Sequence, residues 1–187
     1  MIGTALGGVL LARHGQTDDN LEPYRFQGFA DTPLNDTGRR QAHELAARIP
    51  AGGVRSLWAS DLSRARETAE IVGAAIDLQP ALDARLREGD RGAWEGRLMI
   101  DAQRDDPERF AAWLRAGPEF RFPGGESLAE HQARVLACLR DVHAAGPLPA
   151  LVVCHGGSIR GVLCSRDPRG LDAFHEPVIG NAAVVAL

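Results

Sequence analysis

An α/β fold with a largely parallel central sheet is predicted for this chain, and three features of the sequence predict it. Two short, continuously apolar runs, "VLLA" (9–12) and "ALVVC" (150–154), are too short for helices. They lack the alternation of one-sided strands and read as strands buried on both faces. Segments with apolar residues at helical spacing alternate with the strands, as βα units require. Both apolar runs end in a histidine followed by glycine ("RHG" and "CHGG"), a polar break where a strand leaves the sheet.

Taken in order, the strand at 9–12 gives way to a polar loop over 15–35, in which Gly15 is read as letting the chain turn away. "NDTGRRQAHELAARI" follows, with Ala42, Leu45, Ala46 and Ile49 at i, i+3, i+4 and i+7, an amphipathic helix. "VRSLWAS" (54–60) reads as a second strand, and it leads into a helix marked by Leu62, Ala65, Ala69, Val72 and Ile76. Residues 77–96 are irregular. The region 97–125 has weaker helical patterning and carries Phe110, Trp113, Phe120 and Phe122 among prolines and glycines. A small lid fits that composition, and so does a peripheral helical subdomain without function. Ser127 and Glu130 make a capping box that starts a long helix through Leu128, Val135, Leu136, Leu139 and Val142. Residues 150–164 read as strand, glycine turn and helix, and "NAAVVAL" ends the sequence as a strand.

Bulk properties narrow the function classes. A length of 187 residues suits one domain over 1–187, with 97–125 as an insertion within it. Hydrophobic content of 44% and charged content of 25% are those of an ordinary globular protein. No apolar run approaches a membrane span, and the first residues lack the basic start of a signal peptide. Three cysteines (Cys138, Cys154, Cys164) with no CxxC pair argue against a disulfide framework and for a reducing, cytoplasmic setting. A net charge of −4 without a basic run argues against nucleic acid as a partner. All 21 basic residues are arginine, so any anion must be held by Arg, His or backbone N–H groups rather than by lysine.

Sites in open α/β sheets form outside the carboxyl ends of the strands. His14 and His155 therefore share an edge if their strands are neighbours. The strand at 54–60 delivers a helix start, with Arg64 and Arg66 in its first turns, to the same edge. One rim then gathers Arg13, His14, Arg64 and His155 with glycine turns and helix N-termini, a pocket sized and charged for phosphate. Each member alone has a bland reading: a histidine as structural hydrogen-bonder, Arg64 as a surface partner of Glu67 or Glu70, Arg13 as a bridge to a loop carboxylate. Neutral imidazole is a nucleophile toward phosphorus, and flanking arginines lower its pKa and neutralise the transferring group. The leaving alkoxide needs a proton; Glu88 in "LREGDRGAWEG" is the leading candidate, with Asp90 and Glu95 as competitors. Cys154 and His155 do not form a nucleophile pair, because adjacent strand residues point to opposite faces.

Together these segments resemble the histidine phosphatase superfamily, in its phosphoglycerate-mutase-like branch. "LLARHGQTDDN", "FADTPLNDTGRRQA", "ASDLSRARETA", "LREGDRGAWEG", "PGGES" and "VVCHGGSIR" match its motifs in family order. The resemblance implies a three-layer α/β/α fold with a small helical lid. It implies His14 as the nucleophile that becomes a phosphohistidine, and Arg13, Arg64 and His155 as the phosphate pocket. Asn20 and the backbone at Gly156 would add hydrogen bonds, Gln27 a further substrate contact, and Glu88 the proton donor and later the base. It implies no metal and no cofactor. Arg91 stands where the family often carries an aromatic, and Gln16 where glutamate is commoner.

The expected function is hydrolysis of a small-molecule phosphomonoester: a sugar phosphate, a phosphoglycerate derivative or the ribazole phosphate of cobalamin assembly. The compact length favours phosphatases over dedicated mutases. Mutase-type phosphoryl transfer is the alternative, and a non-catalytic phosphate-binding module a further one. The motifs leave oligomeric state open, a homodimer included.

Overall fold

The computed structural model describes residues 6–187. Its strands are β1 (Val9–Arg13), β2 (Ser56–Ala59), β3 (Ala81–Leu82), β4 (Ala150–Cys154) and β5 (Val184–Ala186). They form one sheet in the order β3-β2-β4-β1-β5. β1 runs parallel to β4, with Arg13 opposite Cys154, and β4 runs parallel to β2. Only β5 is antiparallel, against β1. The sheet is mostly parallel, as the apolar runs require. The segment 77–96, read as irregular, contributes the two-residue β3, which is too short to leave a periodic signal.

The helices are α1 (Asp36–Ala47), α2 (Ser63–Ile76), α3 (Met99–Asp105), α4 (Pro107–Arg115), α5 (Leu128–Ala145) and α6 (Gly156–Cys164). Alternation along the strands sorts them into two layers. Val9, Leu11, Ala150, Val152 and Cys154 pack against Val135, Leu139 and Val142 of α5 and against Ile159 and Val162 of α6. Ala12, Leu151 and Val153 point the other way, onto Leu45 of α1 and Ala65, Ala69 and Val72 of α2. A three-layer α/β/α core follows, with strands buried on both faces and hence continuously apolar.

Local chemistry starts the helices where the sequence placed them. Asn35 accepts from Gly38 N at 2.9 Å to cap α1. Ser127 and Glu130 form the reciprocal box on α5. α2 is capped from outside: Asp31 accepts both the Ser63 amide and its hydroxyl, each at 2.6 Å. That long-range carboxylate also ties the loop of residues 28–31 to α2, where it meets Arg64.

Gly15 has a different reason from the expected turn. It does not adopt a left-handed conformation. A Cβ on it would instead lie 2.3 Å from the Gly38 carbonyl oxygen, and a Cβ on Gly38 would lie 2.1 Å from the Gln16 oxygen. The loop after β1 crosses the first turn of α1 backbone to backbone, which fixes the position of His14.

The segment 97–125 holds α3 and α4. With Phe26 and Trp94 from outside it, Phe110, Phe120 and Phe122 bury an aromatic cluster beside the sheet edge. Met99 and Trp113 from this segment reach a cleft above the carboxyl ends of β1 and β4. Among the described residues, no helix is long and apolar enough to cross a membrane.

Candidate active site

The cleft has a volume of about 160 Å³. Its wall includes Arg13, His14, Asn20, Gln27, Arg64, Glu88 and Gly156. Every predicted site residue except His155 thus opens on one space. His155 is fully buried behind it, its ring 5.2 Å from that of His14.

His14 follows the last residue of β1, and its amide donates to the Cys154 carbonyl at 3.0 Å, extending the β1–β4 ladder. Nδ1 lies 2.6 Å from the Gly15 carbonyl oxygen. A carbonyl only accepts, so Nδ1 carries the proton and Nε2 presents its lone pair. Burial, then the charges of Arg64 and Arg13, hold the His14 pKa well below that of free histidine. The imidazole is therefore neutral, with a defined tautomer. His155 places Nε2 at 2.9 Å from Ser60 Oγ, which already accepts from the Leu62 amide at 3.3 Å. With the Ser60 hydroxyl free to donate to Nε2, the buried, unpartnered Nδ1 of His155 can carry the proton.

Arg64 enters from the first turn of α2 and has no exposed surface. Its terminal nitrogens donate to the carbonyls of Ala30 and Gly28 at 2.8 Å each, while Nε has no partner. Burial lowers its pKa to about 10, so it remains a cation at neutral pH. Arg13 donates to the Ile179 carbonyl at 2.7 Å, and its Nε is likewise unpartnered. Two fixed guanidiniums thus flank the His14 ring, with free donors between them. Arg66 does not join them. It is exposed and faces Glu70 at 3.8 Å, because two residues further along α2 is the opposite side of the helix.

Among the described residues, Glu88 is the one carboxylate in the cleft wall. Its oxygens accept from the amides of Gly89 and Gly157, each at 2.9 Å. Arg91 Nη2 lies 3.4 Å away and His131 Nε2 3.7 Å away. Burial alone would raise its pKa, but Arg91, His131 and the two amides outweigh it and hold the carboxyl at about 2. The competing acids are engaged elsewhere. Asp90 accepts from the Gly92 amide at 2.8 Å, and Glu95 from the amides of Phe29 at 2.6 Å and Arg91 at 3.1 Å. Arg134 of α5 fixes the Glu88 loop by donating to the carbonyls of Arg85, Arg87 and Glu88.

Asn20 and Gln27 line the cleft but already have protein partners. Asn20 Oδ1 accepts from the Thr17 amide at 3.1 Å and from Asn181 at 3.2 Å. Gln27 Nε2 donates to Thr17 Oγ1 at 2.7 Å, leaving its Oε1 unpartnered. Sequence reasoning missed Arg91, Arg160 and Arg25 as cleft residues, and His131 as a neighbour of Glu88. A signal existed for Arg160: it lies one helical turn beyond Gly156 on α6. None existed for His131, which α5 brings in from 43 positions beyond Glu88. Among the described residues, no three His, Cys, Asp or Glu side chains group to hold a metal ion.

Burial of these groups makes a pH prediction. Burial is the main cause that depresses His14, His155 and His131, the last to about 4. The unfolded chain binds their protons below about pH 6.5 and the folded chain does not. Their contribution is complete above pH 6.5 and is lost as pH falls, at up to about 1.4 kcal/mol per unit for each group. Glu88, depressed to about 2, extends the loss below its unfolded value of 4.5. Melting followed by circular dichroism should show Tm dropping by roughly 10 °C or more between pH 6.5 and 4.5. A flat Tm over that window would mean that the folded histidines are already charged.

Comparison with known proteins agrees with this geometry. The sequence profile of the histidine phosphatase superfamily (branch 1) matches residues 9–187. A probable phosphoglycerate mutase, GpmB, of Klebsiella pneumoniae (strain 342) is 42% identical over 171 residues, covering 90% of this chain and 77% of that protein. The structure of Bacillus stearothermophilus YhfR superposes with a TM-score of 0.86 at 30% identity, over 94% of this chain and 88% of that one. The mycobacterial glucosyl-3-phosphoglycerate phosphatase Rv2419c superposes with a TM-score of 0.83 at 30% identity, over 94% and 87%. The chain belongs to the histidine phosphatase superfamily, branch 1.

Proposed function

We propose that this protein hydrolyses a small phosphomonoester through a phosphohistidine at His14. The observation that carries the reading is the neutral His14 ring, its Nε2 lone pair free, between the buried Arg64 and the part-buried Arg13, each with an unpartnered Nε, and beside one carboxylate. Arg13, Arg64, the Gly156 amide and His155 Nδ1–H hold the phosphoryl oxygens as charge shifts onto them. Nε2 attacks phosphorus, the bond to the ester oxygen breaks, and protonated Glu88 gives its proton to the departing alkoxide. Water then attacks the phosphohistidine while Glu88 takes a proton from it. The N–P bond breaks, its electron pair returns to Nε2, and inorganic phosphate leaves.

Glu88 is ionised in the empty cleft. A phosphate dianion arriving opposite raises its proton affinity, and the ester in its monoanionic form brings the proton with it. The substrate is a phosphorylated metabolite of the size of a sugar phosphate, a phosphoglycerate derivative or ribazole phosphate. A mutase reading is favoured by the likeness to the probable phosphoglycerate mutase; in it the phosphoryl group passes to a second hydroxyl instead of water.

Rapid quenching with a ³²P-labelled ester should trap label that is lost in acid and kept in base, and inorganic phosphate should be the product. Phosphate release without such label would refute the covalent route. An isomerised phosphoglycerate with no phosphate release would decide for the mutase.

A further inference from the structure

α5 carries an imidazole on its buried face. Leu128, Val135, Leu136, Leu139 and Val142 turn apolar atoms into the core, and His131 stands among them, 2% exposed. An apolar residue in that position would leave no polar atom to satisfy. His131 lies behind the cleft wall rather than in it, and the steps proposed above do not use it.

The surroundings of the ring place its proton. Nε2 lies 3.0 Å from Ser158 Oγ, in the first turn of α6, and 3.7 Å from Glu88 Oε1. The Ser158 hydroxyl donates to the Arg87 carbonyl at 3.2 Å, and a hydroxyl has one proton to give. Its oxygen therefore accepts from His131, and Nε2 carries the hydrogen. Glu88 Oε1 is the next acceptor, beyond hydrogen-bond length. In a buried site the N–H dipole still favours the ionised carboxyl at that distance. The ring backs onto Gly89, where a Cβ would lie 2.9 Å from Nδ1. Burial, then Arg134 of α5 and Arg91 of the Glu88 loop, outweigh Glu88 and Glu126 and hold the ring at about 4, so it is neutral at pH 7. His155, also neutral, is the other imidazole within its field.

We infer that His131 is a positioning residue for Glu88: its Nε2–H, held by Ser158 and facing the carboxylate, keeps Glu88 ionised until a phosphoryl group enters the cleft. Arg91 and the amides of Gly89 and Gly157 pull the same way. The charge of the bound phosphoryl group opposes them all and lets the carboxyl take its proton. Glu88 thus becomes an acid only with substrate in place. It is ionised again, as the base for water, once that proton has gone to the leaving oxygen. This inference rests on the reading of Glu88 as the proton donor, and the experiment keeps it apart from the phosphohistidine.

The test follows kcat for an alkyl phosphate against pH, since kcat reports the groups of the bound complex. Wild-type kcat should fall at high pH, as the complex loses the Glu88 proton. His131→Leu removes an N–H that favours the carboxylate, so the fall should move up by about 0.5 pH unit or more. Ser158→Ala leaves that N–H with Glu88 as its one acceptor, so the fall should move down by about 0.3 unit or more. His131→Gln keeps an N–H donor that cannot titrate, and should stay within about 0.2 unit of wild type. A merely structural role would lower kcat and leave the pH of the fall in place. Ser158→Ala decides the matter alone if His131→Leu does not fold. A fall that stays put in the folded variants, or moves down in His131→Leu, would overturn the inference. If acid-labile label is intact in that case, only His131 loses its role. A fall that moves as expected in an enzyme without label removes the phosphohistidine and keeps the hold of His131 on Glu88. A fall that persists unchanged in Glu88→Gln removes Glu88 from proton transfer, and the inference with it.

Discussion

His14→Ala should reduce phosphomonoester hydrolysis by a factor on the order of 10⁴–10⁶, the scale on which removal of a covalent nucleophile is felt in other enzymes. The effect should fall almost wholly on kcat. Arg13 and Arg64 take their fixed positions from main-chain carbonyls, Ile179 for one and Ala30 and Gly28 for the other, and neither depends on the imidazole. The phosphate cradle therefore survives in the variant. Phosphate affinity measured by calorimetry should change by less than about threefold, while acid-labile ³²P labelling disappears. Hydrolysis within tenfold of wild type would show that another group attacks phosphorus. A collapse of phosphate affinity together with rate would show that His14 mainly builds the pocket.

Glu88→Gln should separate substrates by their leaving groups. Loss of a positioned general acid costs about 10²–10⁴ in rate. The loss applies in full only where the departing oxygen is a strong base that needs a proton. Alkyl phosphates should lose 100-fold or more in kcat, whereas p-nitrophenyl phosphate, whose leaving phenolate is stable, should lose less than about tenfold in the phosphorylation step. Glutamine keeps one carbonyl, enough to accept from Gly157 and hold the start of α6, while the Gly89 amide loses its acceptor. The pH profile adds a second readout. His14 is held neutral well below the usual histidine range, so wild-type kcat/KM should not fall as pH drops through 6.5. It should fall as the ester loses its last proton, near pH 6, because free Glu88 carries none. A uniform loss for alkyl and aryl esters would remove Glu88 from proton transfer.

Much of the architecture was legible because strands and helices carry periods that a core enforces. Val9–Ala12 and Ala150–Cys154 had to be two-faced strands, and Leu45, Ala65 and Leu139 mark the helical faces that cover them. The meeting of His14 with His155 was legible on the condition that their strands are neighbours, which the pairing of β1 with β4 meets. Arg64 stands ahead of Arg66 through the family resemblance rather than through periodicity, because the rotation of α2 against the sheet decides which one is buried. Glu88 is likewise put ahead of Asp90 and Glu95 by the family resemblance, since irregular backbone has no period to read. Amides and carbonyls that a loop meets only when folded select among them.

By itself, then, the sequence determined the strand–helix order, the sheet edge that carries the site and the chemistry assembled there, because periodicity and residue type are local properties. Tertiary structure alone decided protonation and which buried donors are left unpartnered. It fixed the His14 tautomer through the Gly15 carbonyl and held Glu88 ionised between α6 and Arg91. It also stacked Arg91 on Phe122 so that one of its donors faces an unfilled need. These are properties of desolvation and of distances between segments far apart in the chain, and they exist only once the core has brought those segments together.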